Sequence, residues 1–67
     1  MSLTVNGEKI ELPSPSMTVA ELLELLGYKD HFVAVAINSD CIRRLDFESH
    51  RLSASDKVEI LAPMAGG

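Results

Sequence analysis

The chain has 67 residues, of which 46% are hydrophobic and 24% charged, and its formal net charge is −4 at pH 7. This length and composition indicate one small folded domain rather than a disordered chain, while a single cysteine excludes an internal disulfide and favours a reducing compartment. With six Lys and Arg residues in all, the sequence argues against polyanionic partners, both nucleic acid and anionic membrane surfaces.

The first predicted element is a β-hairpin in the segment LTVNGEKIEL, residues 3–12. Apolar and polar residues alternate on both sides of Asn6-Gly7. Asn-Gly between alternating runs is the strongest short-range hairpin signal, because both turn positions tolerate positive φ. The prolines of PSPS, residues 13–16, then end the second strand, since proline cannot donate to a strand ladder.

The next element is a helix in the segment TVAELLELLG, residues 18–27. Thr18 lies three residues before Glu21, the spacing of a capping box that satisfies two backbone N–H groups at a helix start. Gly27 is the usual residue just after a helix end. Four residues at helical spacing form one apolar stripe: Val19, Leu22, Leu23 and Leu26.

Three further strands follow the helix. HFVAVAIN, residues 31–38, alternates again, a short apolar piece surrounds Cys41, and KVEILA, residues 57–62, is the last strand. Residues 43–56 show no regular pattern. The order strand, strand, helix, strand, short strand, strand predicts an α+β fold of the β-grasp type, in which a mixed sheet of four to five strands wraps around one main helix. The predicted sheet contribution to the core is Leu3, Val5, Ile10, Leu12, Val33, Val35, Ile37, Val58 and Ile60.

Few side chains suggest catalysis or metal binding. We interpret Cys41 as a buried small hydrophobe, which is the usual behaviour of a free cysteine. His31 and His50 lack metal-ligand spacing and are read as solvated loop residues, so no metal site is predicted. The acidic residues form a solvated skin that serves solubility or steers a basic partner. We therefore do not expect an enzyme.

The sequence finishes with PMAGG, residues 63–67. We predict that residues 1–67 form one β-grasp domain, with a globular body at 1–61 and an extended, flexible tail at 62–67. A carboxylate is ionised at neutral pH and is a poor electrophile, but conversion to a mixed anhydride with AMP makes its carbonyl reactive. Gly66 and Gly67 can thread a narrow channel that any Cβ would block. The tail therefore indicates a tethered carrier.

The whole chain resembles the ThiS family of sulfur carrier proteins. The similarity lies in the order and spacing of VNGE at 5–8, TVAELLELLG at 18–27, VAVAIN at 33–38, DKVEI at 56–60 and the terminal GG. The resemblance implies a β-grasp protein co-substrate in the synthesis of the thiazole of thiamin. It also implies that a ThiF-like enzyme adenylates the Gly67 carboxylate with ATP and magnesium, and that this chain binds no cofactor. A sulfurtransferase of the cysteine desulfurase type and a ThiG-like thiazole synthase are the other implied partners.

Some positions depart from the family pattern. NSD at 38–40 and SASD at 53–56 replace more usual turn sequences, and Pro63 stiffens the approach to the glycines. We expect Leu61, Pro63 and Met64 to extend the contact made by the tail. Ala34 and Ala36 are expected to give a smooth docking face.

Other functions remain compatible with the sequence. They are a sulfur carrier for molybdopterin synthesis or tRNA thiolation, a ubiquitin-like protein modifier, and an RNA-binding β-grasp module of the TGS type, which the acidic balance disfavours. No stretch approaches the roughly 20 apolar residues of a membrane span, and the start lacks a signal-peptide layout. We expect a cytoplasmic protein.

Overall fold

The computed structural model describes residues 1–28 and 32–62. The predicted order of elements is confirmed, with a 3₁₀ helix added between the fourth and fifth strands. The elements are β1 (Ser2–Val5), β2 (Glu8–Glu11), α1 (Val19–Leu25), β3 (Ala34–Ile37), β4 (Asp40–Ile42), the 3₁₀ helix (Arg44–Asp46) and β5 (Lys57–Leu61).

The five strands form one mixed sheet in the order β2-β1-β5-β3-β4. β5 pairs parallel with β1 and antiparallel with β3, while the two outer pairs are antiparallel. The last of the described strands is therefore the central strand of the sheet. This arrangement confirms the predicted β-grasp fold.

The Asn6-Gly7 hairpin forms as predicted. Asn6 has φ 50° and Gly7 has φ 85°, so both turn residues occupy the left-handed region that these residue types tolerate. The turn sets the register Val5↔Glu8 and Leu3↔Ile10. Leu3 is buried, and Ile10 is half-buried and packs against the core. Since β2 is the edge strand, one side of Ile10 has no neighbouring strand to cover it.

The helix is fixed at both ends by the predicted signals. The Glu21 N–H donates to Thr18 Oγ1 over 3.2 Å, and the Thr18 N–H donates to Glu21 Oε1 over 2.8 Å, which completes the capping box. At the other end, Gly27 has φ 88° and donates to the Glu24 carbonyl, while Tyr28 donates to the Leu23 carbonyl. These two bonds are a Schellman motif. A helix of seven residues is short, and its two caps compensate for its length.

The core lies between α1 and the face of the sheet that is turned toward it. Eight of the nine predicted sheet residues are buried, and the described residues include two buried hydrophobic residues that were not predicted, Met17 and Leu52. Both lie outside the strands and the helix, where no alternation marks them. The Leu52 N–H donates to the Met17 carbonyl over 2.8 Å, and Thr18 forms a bridge with Arg51. The irregular segment 43–56 is thereby attached beside the helix start.

The expectation for Cys41 was wrong, because its thiol is exposed. Cys41 pairs with Ala36 on the face of the sheet turned away from α1, while its neighbour Ile42 is half-buried. A three-residue edge strand offers too little alternation to identify its inward face. His50 is half-buried in a loop. His31 lies outside the described residues.

Candidate functional site

The residues that carry the predicted chemistry follow the central strand. Gly66 and Gly67, together with Pro63 and Met64, lie outside the described residues. The structure does describe the residues that precede them in the sequence. β5 ends at Leu61, and Ala62 follows it with an exposed side chain.

Strand pairing places the predicted docking residues on one surface. Leu61 pairs with Ala34, and Ala36 pairs with both Glu59 and Cys41. Directly paired residues point to the same face of a sheet, and alternate residues of these strands, such as Val35 and Ile60, are buried on the other face. Ala34, Ala36 and Leu61 therefore share the outer face, which is the face turned away from α1. Their role in binding a partner stays a prediction.

The outer face carries an aromatic side chain that sequence reasoning missed. Phe32 is 70% exposed and Leu61 is 74% exposed, and both line one shallow apolar depression with Ala34 and Cys41. Phe32 could have been found from spacing, because residues 32, 34 and 36 alternate with the inward residues 33, 35 and 37. We call Phe32, Ala34, Ala36, Cys41 and Leu61 the apolar patch.

A cation lies at the rim of the apolar patch. The guanidinium of Arg44 stacks over the ring of Phe32, 3.7 Å from its centroid, a cation–π contact that holds the exposed ring in place. Arg44 comes from the 3₁₀ helix, so this contact also joins that helix to the start of β3. Arg43 instead forms an ion pair with Asp46 over 3.1 Å.

The outer face becomes more polar with distance from the end of β5 at Leu61. Along β5 the outward residues are Lys57, Glu59 and Leu61, so charge gives way to apolar surface toward the end of the strand. β1 presents Thr4 next to Lys57 and Lys9. The apolar patch is thus confined to the half of the sheet formed by β3, β4 and the end of β5. Large exposed apolar side chains grouped in this way mark interaction surfaces more often than scattered ones do.

A second depression lies between α1 and residues 44–51. Its lining is mixed, with Glu21, Glu48 and Arg51 beside Leu45 and Phe47. Arg51 is already bonded to the Ser16 hydroxyl over 2.7 Å. Within residues 1–28 and 32–62, no group of three His, Cys, Asp or Glu side chains is placed to hold a metal ion. No helix in that part of the chain is long and apolar enough to span a membrane.

Comparison with solved structures gives the same fold. The crystal structure of a thiamine biosynthesis protein (ThiS) from Geobacter metallireducens superposes with a TM-score of 0.85 at 35% identity, and the match covers 100% of both chains. An NMR solution structure of a thiamine biosynthesis protein from the same organism superposes with a TM-score of 0.84 at 35% identity. This second match covers 100% of this chain and 88% of that one.

Comparison of sequences gives the family. The uncharacterized protein ycf40 of Porphyra purpurea is 31% identical over 67 residues, which is 100% of this chain and 93% of that protein. The model of the ThiS family matches residues 3–67, from the first strand through both terminal glycines. The chain belongs to the ThiS family of small carrier proteins, and this membership, together with the shared fold, supports a sulfur carrier role.

Proposed function

We propose that this chain carries sulfur as a thiocarboxylate on Gly67 and donates it during formation of the thiazole of thiamin. The observation that carries the proposal is the ThiS-family match over residues 3–67, which includes Gly66 and Gly67. The sequence-wide structural match to a thiamine biosynthesis protein supports it. The position of β5 adds a physical reason, because this strand ends beside the apolar patch, six residues before Gly67.

The proposed chemistry has three steps. In the first, a carboxylate oxygen of Gly67 attacks the α-phosphorus of ATP, so that pyrophosphate leaves and an acyl adenylate forms. In the second, the terminal sulfur of a persulfide attacks the carbonyl carbon and AMP leaves, which forms an acyl disulfide. A thiol then reduces this S–S bond, so that the thiocarboxylate is released and the thiol ends in a disulfide with the sulfurtransferase cysteine. We propose that a ThiF-like enzyme binds the ATP and magnesium, that a sulfurtransferase of the cysteine desulfurase type supplies the sulfur, and that this chain itself binds no cofactor. A ThiG-like thiazole synthase is the proposed recipient.

In this proposal the body of the chain, residues 1–61, binds the partner enzyme and orients the tail toward its reaction centre. Residues 63–67 can span at most roughly 17 Å when fully extended, so the body must dock close to the partner's reaction centre. Ala34 and Ala36 let a partner approach the backbone of β3 closely. Phe32 and Leu61 add apolar area, and its removal from water favours association. We propose that Pro63 and Met64 extend this contact along the tail.

Intact mass spectrometry tests the first part of the proposal. The chain is incubated with a ThiF-like enzyme, ATP and magnesium, and then with a sulfurtransferase, cysteine and a thiol reductant such as dithiothreitol. The expected result is a mass increase of one AMP, followed by replacement of one oxygen by sulfur, both located on the C-terminal peptide. A variant lacking Gly67 is the control and should show neither change. An unmodified wild-type chain would contradict the proposal, and conjugates to lysine would indicate a protein modifier instead.

Growth of a mutant strain tests the recipient. A strain lacking its own ThiS-family carrier should grow without thiamin when it expresses this chain. The variant lacking Gly67 should require added thiazole. If the thiocarboxylate forms but growth still requires thiazole, then the recipient is another pathway, such as molybdopterin synthesis or tRNA thiolation.

A further inference from the structure

We infer that Asn6 is a positioning residue for the C-terminal tail. Its side-chain carboxamide holds the backbone of β5 at Ile60, the residue before the strand's last residue. It thereby fixes the position and direction of the end of β5 at Leu61. This inference rests on the proposed function, in which the tail presents the reacting carboxylate.

The parallel pairing of β1 with β5 stops before the end of β5 at Leu61. The Thr4 N–H donates to the Asp56 carbonyl over 3.0 Å, and the Asn6 N–H donates to the Val58 carbonyl over 2.8 Å. The next hydrogen bond of this ladder would join β1 to the backbone of Ile60. It cannot be made by backbone, because the chain reverses direction at Asn6-Gly7.

The Asn6 side chain supplies that missing rung. Its Oδ1 accepts a hydrogen bond from the Ile60 N–H over 2.8 Å, and its Nδ2 donates to the Ile60 carbonyl over 3.2 Å. A carboxamide offers one acceptor and two donors, so it can satisfy both backbone groups of one strand residue at once. The Asn6 side chain thus extends the hydrogen-bonded ladder between β1 and β5 by one residue.

This bond pair matters because of where it lies on β5. β3 holds the opposite flank of the strand through the pair Ala34↔Leu61. On the β1 flank, the bonds that the described residues give to Ile60 come from Asn6. Without them the final residues of β5 would be held from one side, and ordering their backbone on docking would oppose binding.

The turn conformation and the bond pair can be separated by substitution. Asn6 has φ 50°, a conformation that glycine adopts readily. Asn6→Gly therefore keeps the hairpin turn and removes only the carboxamide. Asn6→Asp keeps the acceptor for the Ile60 N–H but replaces the donor by a carboxylate oxygen that faces the Ile60 carbonyl oxygen, so it tests the need for the donor.

The chain contains a matched control at Asn38. This residue also has positive φ, 51°, and its carboxamide also bonds β5: Oδ1 accepts from the Lys57 N–H over 2.9 Å, and Nδ2 donates to Asp56 Oδ1 over 3.0 Å. It therefore acts at the start of the strand, remote from the tail. Asn38→Gly removes a comparable bond pair without touching Ile60.

The experiment has two readouts on the full-length chain. The first is NMR: amide exchange at Ile60 and ¹⁵N relaxation at Leu61 and Ala62, in the wild type, Asn6→Gly and Asn38→Gly. The expected result is faster exchange at Ile60 and greater fast motion at Leu61 and Ala62 in Asn6→Gly alone. Equal behaviour of these amides in all three proteins would overturn the inference, whatever the chain's function.

The second readout is the kinetics of adenylation by a ThiF-like enzyme, followed by ATP–pyrophosphate exchange. We expect the KM for Asn6→Gly to rise about tenfold, the effect of ordering roughly one more backbone residue on binding, with kcat within about twofold. Asn38→Gly should change KM less than about twofold, and circular dichroism should show both variants folded. Equal increases in KM for both variants would overturn the inference. A wild-type chain that is never adenylated would contradict the proposed function instead, and the NMR result would still decide the role of Asn6.

Discussion

Single residues decide what the outer face of the sheet can bind. Phe32 and Leu61 expose large apolar side chains, while Ala34 leaves the backbone of β3 accessible. An exposed alanine contributes little to stability, so substitutions there test binding separately from folding. Cys41 is also exposed on this face, so a chemical modification of its thiol likewise tests binding separately from folding.

We predict that Ala34→Glu weakens docking to a ThiF-like enzyme by tenfold or more. The added carboxylate would have to be buried, unpaired, against the partner. Thermal unfolding should be nearly unchanged, since Ala34 is exposed. Ala54→Glu is the matched control, because Ala54 is also exposed but lies in the turn before β5, at the other end of the strand from Leu61. Equal binding of the two variants, measured by calorimetry, would show that the apolar patch is not the docking face.

We also predict that Cys41 reports docking. Its thiol is exposed in the free chain, so iodoacetamide should alkylate it without prior unfolding. A bound ThiF-like enzyme should slow the labelling, because Cys41 pairs with Ala36 within the apolar patch. Intact mass over time gives the rate with and without the partner. Undiminished labelling at a saturating partner concentration would place the interface elsewhere.

At the scale of elements, the short helix depends on its caps. α1 has seven residues, which is below the length at which an isolated helix is stable in water. Both ends of α1 are closed by bonds that the sequence signals, the capping box at Thr18 and the Schellman motif at Gly27. The residue at the helix start also pairs with Arg51, so this cap joins the helix to the irregular segment.

We predict that Thr18→Ala lowers the free energy of unfolding by about 1 kcal/mol through loss of the cap. Thr18→Ser, which keeps the hydroxyl, should lower it less. Urea denaturation followed by circular dichroism measures both variants. If Thr18→Ser is as destabilised as Thr18→Ala, then the methyl group of this buried side chain, rather than the cap, accounts for the loss.

Sequence signals that act within a few residues predicted the strands and the α-helix correctly. Asn6-Gly7, Thr18 with Glu21, and Gly27 each act within a few residues, and the alternation of β3 identified its buried face. Cys41, Met17 and Leu52 could not be assigned in this way, because their surroundings come from distant parts of the chain. The clamp of Asn6 on Ile60 spans 54 residues and depends on parallel pairing, which no local pattern encodes. The tail chemistry came from the resemblance to a family, and it remains a prediction at Gly66 and Gly67.

At the scale of the whole molecule, a small domain leaves little margin of stability. Natural domains are stable by roughly 0.05–0.15 kcal/mol per residue, which for this length is about 3–10 kcal/mol. The core is shared between one helix and one face of the sheet. A single cavity in it would therefore cost a large part of the free energy of unfolding.

We predict that Leu22→Ala lowers the free energy of unfolding by about 2–5 kcal/mol, because a buried cavity replaces the side chain. Leu22 is 0% exposed. Leu45→Ala is the matched control, since Leu45 is 84% exposed and should change stability by less than about 0.5 kcal/mol. Thermal melts compare the two. Similar melting temperatures for both variants would contradict the described core.

The central place of β5 also governs when the molecule can fold. Among the described strands, the β1–β2 and β3–β4 hairpins are connected in the sheet through β5, which is the last strand to be synthesised. A nascent chain that stops before Lys57 would have two separate hairpins with no strand between them, and a two-stranded hairpin alone is at best marginally stable. Folding of the sheet therefore waits for the synthesis of β5, and chains that terminate before Lys57 should remain open to proteolysis.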